Sequence, residues 1–141
     1  MTALIASTLA WGYVYGPTRH GDLGWGYAGR RPLAEVAYIR AHHLEGALYN
    51  EVMTEGSFLV HELHPAVRPV MDARIDLVGG ERYREYDHTH ESAQALAAFL
   101  QRYDVRLALA TRSGWVAPYL QRTGEWDLAT QSEEHVLLTR R

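Results

Sequence analysis

Ala47-Leu48-Tyr49-Asn50-Glu51 and Val67-Arg68-Pro69-Val70-Met71-Asp72-Ala73-Arg74-Ile75-Asp76 decide the reading of this chain. Each joins a short apolar run to a polar cluster, and a short apolar run bounded by turn residues reads as a strand. Laid side by side in one parallel sheet, the two strands deliver both polar clusters to the same edge. That edge, outside the carboxyl ends of the strands, is where open α/β sheets bind ligands.

Working outward, residues 32–43 read as a helix, with Pro32 at its start and Leu33, Val36, Ala37, Arg40 and Leu44 along one face. Residues 56–63 form a second, with Phe58, Leu59 and Leu63 on one side. The strongest helical pattern spans 91–103, where Leu96, Phe99, Leu100 and Tyr103 recur at helical spacing. Val105, Leu107 and Leu109 alternate with Arg106, Ala108 and Ala110 as a strand that ends in Thr111-Arg112-Ser113. Trp115, Val116, Tyr119 and Leu120 suit a helix closed by Gly124, with Pro118 in its first turn. Residues 126–130 and 136–139 flank Gln131-Ser132-Glu133-Glu134 as a hairpin. Pro69 removes one ladder hydrogen bond and marks its strand as an edge or a bulge. The expected fold is α/β: a layered, mostly parallel sheet with helices on its faces and a C-terminal antiparallel hairpin.

At 141 residues, 47% hydrophobic and 22% charged, the chain suits one globular domain and not a disordered or collagen-like segment. The expected division is an N-terminal strand and glycine-rich loop over 1–31 and an α/β domain over 32–141. The net charge is −3 and the basic residues are dispersed, which argues against nucleic acid as a partner. All fourteen basic residues are arginine, so lysine chemistry is excluded. The absence of cysteine excludes disulfides and thiolate nucleophiles. Residues 1–16 are apolar without a preceding positive charge. They make a poor signal peptide, fall short of the ~20 residues of a membrane span, and read as a first strand. The alternative for this stretch is the tail of a membrane helix or its linker.

Asn50, Glu51, Asp72, Arg74, Asp76 and Arg112 are the candidate ligand-binding residues. Carboxylates, an amide and forked guanidinium groups at one edge suit a polar ligand such as a sugar or phosphate. The competing reading makes Asp72–Arg74 a structural ion pair and Asn50 a cap or turn support. His61 with His64 and His88 with His90 lack the spacing of established metal motifs and read as surface histidines, so no metal or cofactor is assigned. Asp87, His88 and Ser92 lack the Gly-x-Ser-x-Gly setting of a hydrolase, and Gly24, Gly26 and Gly29 read as turn residues. Trp11, Tyr13, Tyr15, Trp25 and Tyr27 suit a sugar-stacking platform or, more commonly, core and interface packing.

The order of these motifs resembles the C-terminal extracytoplasmic region of bacterial polytopic membrane proteins related to polyprenyl-phosphate-sugar-dependent glycosyltransferases. The likeness rests on Asn50-Glu51, Gly56-Ser57-Phe58-Leu59, Pro65, Val70-Met71-Asp72-Ala73-Arg74 with Asp76, and Tyr83 to Tyr86, and extends over about two thirds of the chain. It departs where a second glycine of the family stands as Ser57, where the glycine of Asp-Gly-Arg stands as Ala73, in a missing aromatic before Gly56, and in a spacing one residue longer. The resemblance implies a soluble domain at the extracytoplasmic face of the bacterial membrane that binds glycan or a lipid-linked sugar. Its partner would be the membrane-embedded remainder of a parent protein, which carries the catalytic carboxylate; no catalytic residue is assigned within this chain. Two other readings stand beside it. One is a small free-standing enzyme using Glu51 and Asp72 as acid and base on a small sugar or phosphate substrate. The other is an assembly domain whose hairpin adds a strand to a partner.

Overall fold

The computed structural model describes residues 31–74 and 79–141; the first-strand reading of 1–16, the glycine-rich loop, its aromatic residues and Asp76 lie outside them. Residues from Pro32 to Arg141 form one compact unit. In chain order the elements are α1 (Leu33–Ala41), β1 (Gly46–Asn50), a 3₁₀ turn (Met53–Glu55), α2 (Gly56–Leu63), β2 (Val67–Pro69), α3 (Gly80–His88), α4 (Ala93–Arg102), β3 (Val105–Thr111), α5 (Val116–Arg122), β4 (Trp126–Gln131) and β5 (His135–Arg140).

Among the described residues five strands form one mixed sheet in the order β2-β1-β3-β5-β4. The first three are parallel and the C-terminal hairpin is antiparallel. Thus the chain is α/β. Among the described residues β2 is an edge strand, with the missing N–H of Pro69 turned away from β1, and its ladder is taken up again by Val70 N donating to Leu48 O at 2.8 Å.

Helices cover both faces. On one side Val36 and Ile39 of α1 and Leu59 and Leu63 of α2 pack on Leu48, Leu107, Leu109 and Leu137. On the other, Tyr86 of α3, Phe99 and Leu100 of α4 and Leu120 of α5 pack on Tyr49, Ala108, Ala110 and Leu138. Adjacent residues of one strand point to opposite faces, so double coverage buries them all. This explains why β3, which alternates large and small residues, exposes only Arg106 in its interior. Among the described residues no helix is long and apolar enough to cross a membrane.

The elements follow from local chemistry. Ser92 caps α4 by accepting Ala95 N–H at 3.0 Å, and Leu96, Phe99 and Leu100 form the buried face. Gly124, at φ +75°, leaves α5 in the left-handed conformation that side chains resist.

Two readings change. The buried face of α1 is Glu35, Val36 and Ile39, while Leu33 is exposed; the helix is rotated so that an acidic residue, not an apolar one, turns inward. Residues 80–88 form a helix where the sequence suggested only a tyrosine-rich segment, so His88 ends a helix instead of lying in a loop.

Candidate functional site

The carboxyl ends of β1, β2 and β3 meet at one rim, since the three strands are parallel neighbours, with one register shift between Ala47 and Leu48 against β3. Glu51, Asp72 and Arg112 each follow one of these ends.

Asn50, the last residue of β1, is fully buried. Its Nδ2 donates to Met71 O at 3.0 Å and Val52 O at 3.2 Å, and its Oδ1 accepts Met71 N at 3.3 Å. The amide therefore continues the β1–β2 ladder with a side chain just where the backbone ladder stops. Gly56 sits beneath this clip. A Cβ there would stand 2.1 Å from Met71 O and 2.6 Å from Asp72 Cα, so only glycine lets α2 begin against that backbone.

Asp72 accepts Arg74 N at 2.7 Å through Oδ1, and the Arg74 guanidinium through Oδ2 at 3.0 and 2.6 Å. Hydrogen bonds from Arg74 outweigh burial and hold the Asp72 carboxyl below its usual value. The contribution of this pair to stability is present above the ordinary carboxylate range and is lost as pH falls through the lowered one. The ion-pair reading is the one the geometry gives, although Arg74 remains more than half exposed.

Glu51 ties β1 to β3. Its Oε2 accepts Thr111 N at 2.6 Å and Thr111 Oγ1 at 2.9 Å, and its own N–H donates to Leu109 O at 2.9 Å. Its Oε1 accepts nothing among the described residues. Gly114 passes so close that a Cβ would lie 2.9 Å from that oxygen and 2.5 Å from Thr111 Oγ1. The next residue, Trp115, is 38% exposed despite its size, with its ring 5.8 Å from that of Tyr119. Arg112 stands at the rim but turns to the hairpin, donating from its side chain to Ser132 O at 3.0 Å and from its backbone to Glu134 O at 2.8 Å.

Three groups from α3 and the turn after it complete the rim, a role the sequence reading gave none of them. The Tyr86 hydroxyl shares its proton between Asn50 O at 2.8 Å and Glu51 O at 2.7 Å, and burial pushes that phenol far above its ordinary value. His90 Nε2 lies 2.9 Å from Glu51 O; a carbonyl only accepts, so this nitrogen carries the proton. Thr89 Oγ1 donates to Tyr86 O at 2.6 Å and so accepts from the Tyr49 hydroxyl at 2.8 Å. Burial raises the Tyr49 phenol to about 12. Tyr86→Phe should lower the unfolding free energy by about 1–2 kcal/mol, read by urea denaturation, because the buried Asn50 carbonyl loses this donor while Glu51 O keeps His90 as its donor.

The four histidines of the sequence reading go separate ways. His61 faces Glu62, His88 faces Glu91, His90 faces Glu51 and His64 follows α2. Among the described residues no three His, Asp or Glu side chains are arranged to hold a metal ion.

Two further features were invisible in the sequence. His135 of β5 pairs with Glu55 of the 3₁₀ turn, Nε2 to Oε1 at 2.8 Å, and the charge of the buried Glu35 of α1 acts on it through space. At the opposite edge, the amino ends of the strands line an open groove of about 750 Å³. There Arg68, Arg106 and His64 face Glu45 and Asp104, so its charges largely cancel.

Compared with protein-family models, curated proteins and solved structures, the chain matches none.

Proposed function

We propose that this chain is the extracytoplasmic α/β domain of a membrane glycosyltransferase-like protein and binds glycan or a lipid-linked sugar at the rim formed by β1, β2 and β3. One observation carries the reading: the residues of the sequence motif form a single three-dimensional unit. Asn50 clips Met71, Gly56 packs on Met71 and Asp72, and Arg74 closes on Asp72. Two of the departures, Ser57 and Ala73, fall at exposed positions. The buried or tightly packed positions, Asn50, Gly56 and Asp72, keep the residue types the motif needs.

In this reading Asn50, Gly56 and Asp72 build the rim, and Glu51, Arg74 and Trp115 touch the ligand. The exposed Trp115 face suits stacking on the apolar face of a pyranose ring, and Glu51 Oε1 is an acceptor for a sugar hydroxyl beside it. Arg74 offers guanidinium donors at the same edge, suited to a phosphate or hydroxyl oxygen. The free-standing enzyme reading has less support. Glu51 is engaged by Thr111 and Asp72 by Arg74, which leaves neither carboxylate placed as a free acid or base.

Isothermal titration against neutral oligosaccharides and a short-chain polyprenyl-phosphate hexose tests the proposal. Saturable binding is expected, lost in Trp115→Ala while the circular dichroism spectrum stays unchanged, with no glycosyl transfer by this chain alone. Binding unaffected by Trp115→Ala, or turnover abolished by Asp72→Asn, would overturn it.

A further inference from the structure

Glu35 is 1% exposed, and among the described residues neither carboxylate oxygen has a hydrogen-bond partner. A buried carboxylate without partners is costly, and in a folded chain it calls for a physical reason. That reason stands nearby. His135, 4% exposed, is the first residue of β5 and pairs with Glu55 of the 3₁₀ turn. His135 thus draws on two carboxylates from elements far apart in sequence, Glu55 by a hydrogen bond and the buried Glu35 through space. With Glu35 and His135 closed to solvent, a ligand from solution does not reach them, and the cluster acts on the chain itself.

We propose that Glu35, Glu55 and His135 form a proton-operated latch that ties the first turn of α1 and the Met53–Glu55 turn to the start of β5. With His135 charged, one cation serves two carboxylates, giving Glu55 a charged hydrogen bond and offsetting Glu35 through space. With His135 neutral, the two carboxylates share a buried patch without a counter-charge, and the Met53–Glu55 turn is driven to open. That turn lies between Asn50-Glu51 and Gly56, and Thr111, which holds Glu51, is the strand partner of His135. The latch therefore sits directly behind the rim, and it stands whether or not the rim binds glycan.

The electrostatic surroundings agree. Burial pushes His135 down, but the hydrogen bond it donates to Glu55 and then the charges of Glu55, Glu35 and Glu134 more than reverse it and leave the imidazole above its ordinary value. On the neighbouring β3 edge Thr111 is uncharged, and the Arg112 side chain points to Ser132 O. For a group raised in the folded state, the stabilisation is complete below the unfolded value of ~6.5 and is lost as pH rises through the folded one.

The test follows the His135 ring proton by NMR between about pH 5 and 9, alongside thermal unfolding. The expected results are a His135 midpoint above ~6.5, a fall in the unfolding temperature of about 3–5 °C through that midpoint, and a nearly flat profile there for His135→Gln. Glu35→Gln should lower the His135 midpoint without unfolding the domain, and this readout stands if His135→Gln does not fold. A wild-type midpoint at or below the ordinary value, or one that Glu35→Gln leaves unmoved, would overturn the latch. So would an unchanged pH profile in a folded His135→Gln.

Discussion

Gly56→Ala lowers the unfolding free energy by about 3 kcal/mol or more, enough to leave much of the protein unfolded if its stability is ordinary. The added methyl meets backbone, not the end of a flexible side chain: Met71 O at 2.1 Å and Asp72 Cα at 2.6 Å. Relief requires moving either α2 or the tail of β2, and both are anchored, α2 by the buried Leu59 and Leu63 and the β2 tail by the Asn50 amide. Against this cost, alanine improves helix propensity over glycine by at most ~1 kcal/mol, and less at the first residue of a helix. The clash wins. Ser57→Ala, one residue on at an exposed position, is the control and should change stability by no more than ~0.5 kcal/mol. Urea denaturation followed by far-ultraviolet circular dichroism distinguishes the two.

Asn50→Ala is expected to cost about 3–4 kcal/mol. Its amide satisfies a buried carbonyl and N–H of Met71 as well as Val52 O, and an unpaired buried backbone group costs roughly 1–3 kcal/mol. Asn50→Asp separates this clip from simple space filling, because a carboxylate matches the shape of the amide but cannot donate to Met71 O or Val52 O. It should be destabilised at least as much as alanine when ionised, and should recover on acidification as the carboxyl gains a proton to donate. An Asn50→Asp protein as stable as the original at neutral pH would show that the amide is not a clip.

Much of the architecture was legible because the local signals agree with one another. The helix at 56–63 appears with those bounds, the Ser92 cap and the Leu96–Phe99–Leu100 stripe define α4, and the hairpin and the edge position of Pro69 appear as read. α3 was not legible, because Gly-Glu-Arg-Tyr-Arg-Glu-Tyr-Asp-His buries only Tyr86, which anchors it to β1, and its other ties, Glu85 and Arg82 to Arg102 and Tyr103 of the next helix and its end, are polar contacts that no apolar periodicity records. The face of α1 was misjudged for a related reason: Glu35 turns inward toward a histidine a hundred positions away, which no local periodicity records.

The rim was found and its residues were only partly understood. Parallel strands do bring Glu51, Asp72 and Arg112 to one edge. Yet the role of Asn50 depends on where the β2 ladder stops, and that of Glu51 on the Thr111 N–H and hydroxyl, facts of pairing and not of composition. Trp115 carried a signal of its own, an aromatic residue after Ser113-Gly114, which the sequence reading assigned to a helix face.

The most direct measurement is an amide chemical-shift map of the ¹⁵N-labelled protein titrated with a short-chain polyprenyl-phosphate hexose and with the same sugar unlinked. The account predicts saturable shifts concentrated at Glu51, Arg74 and residues 111–115. Shifts confined to the opposite groove around Arg68 and Arg106, or no saturable shift with either compound, would contradict it.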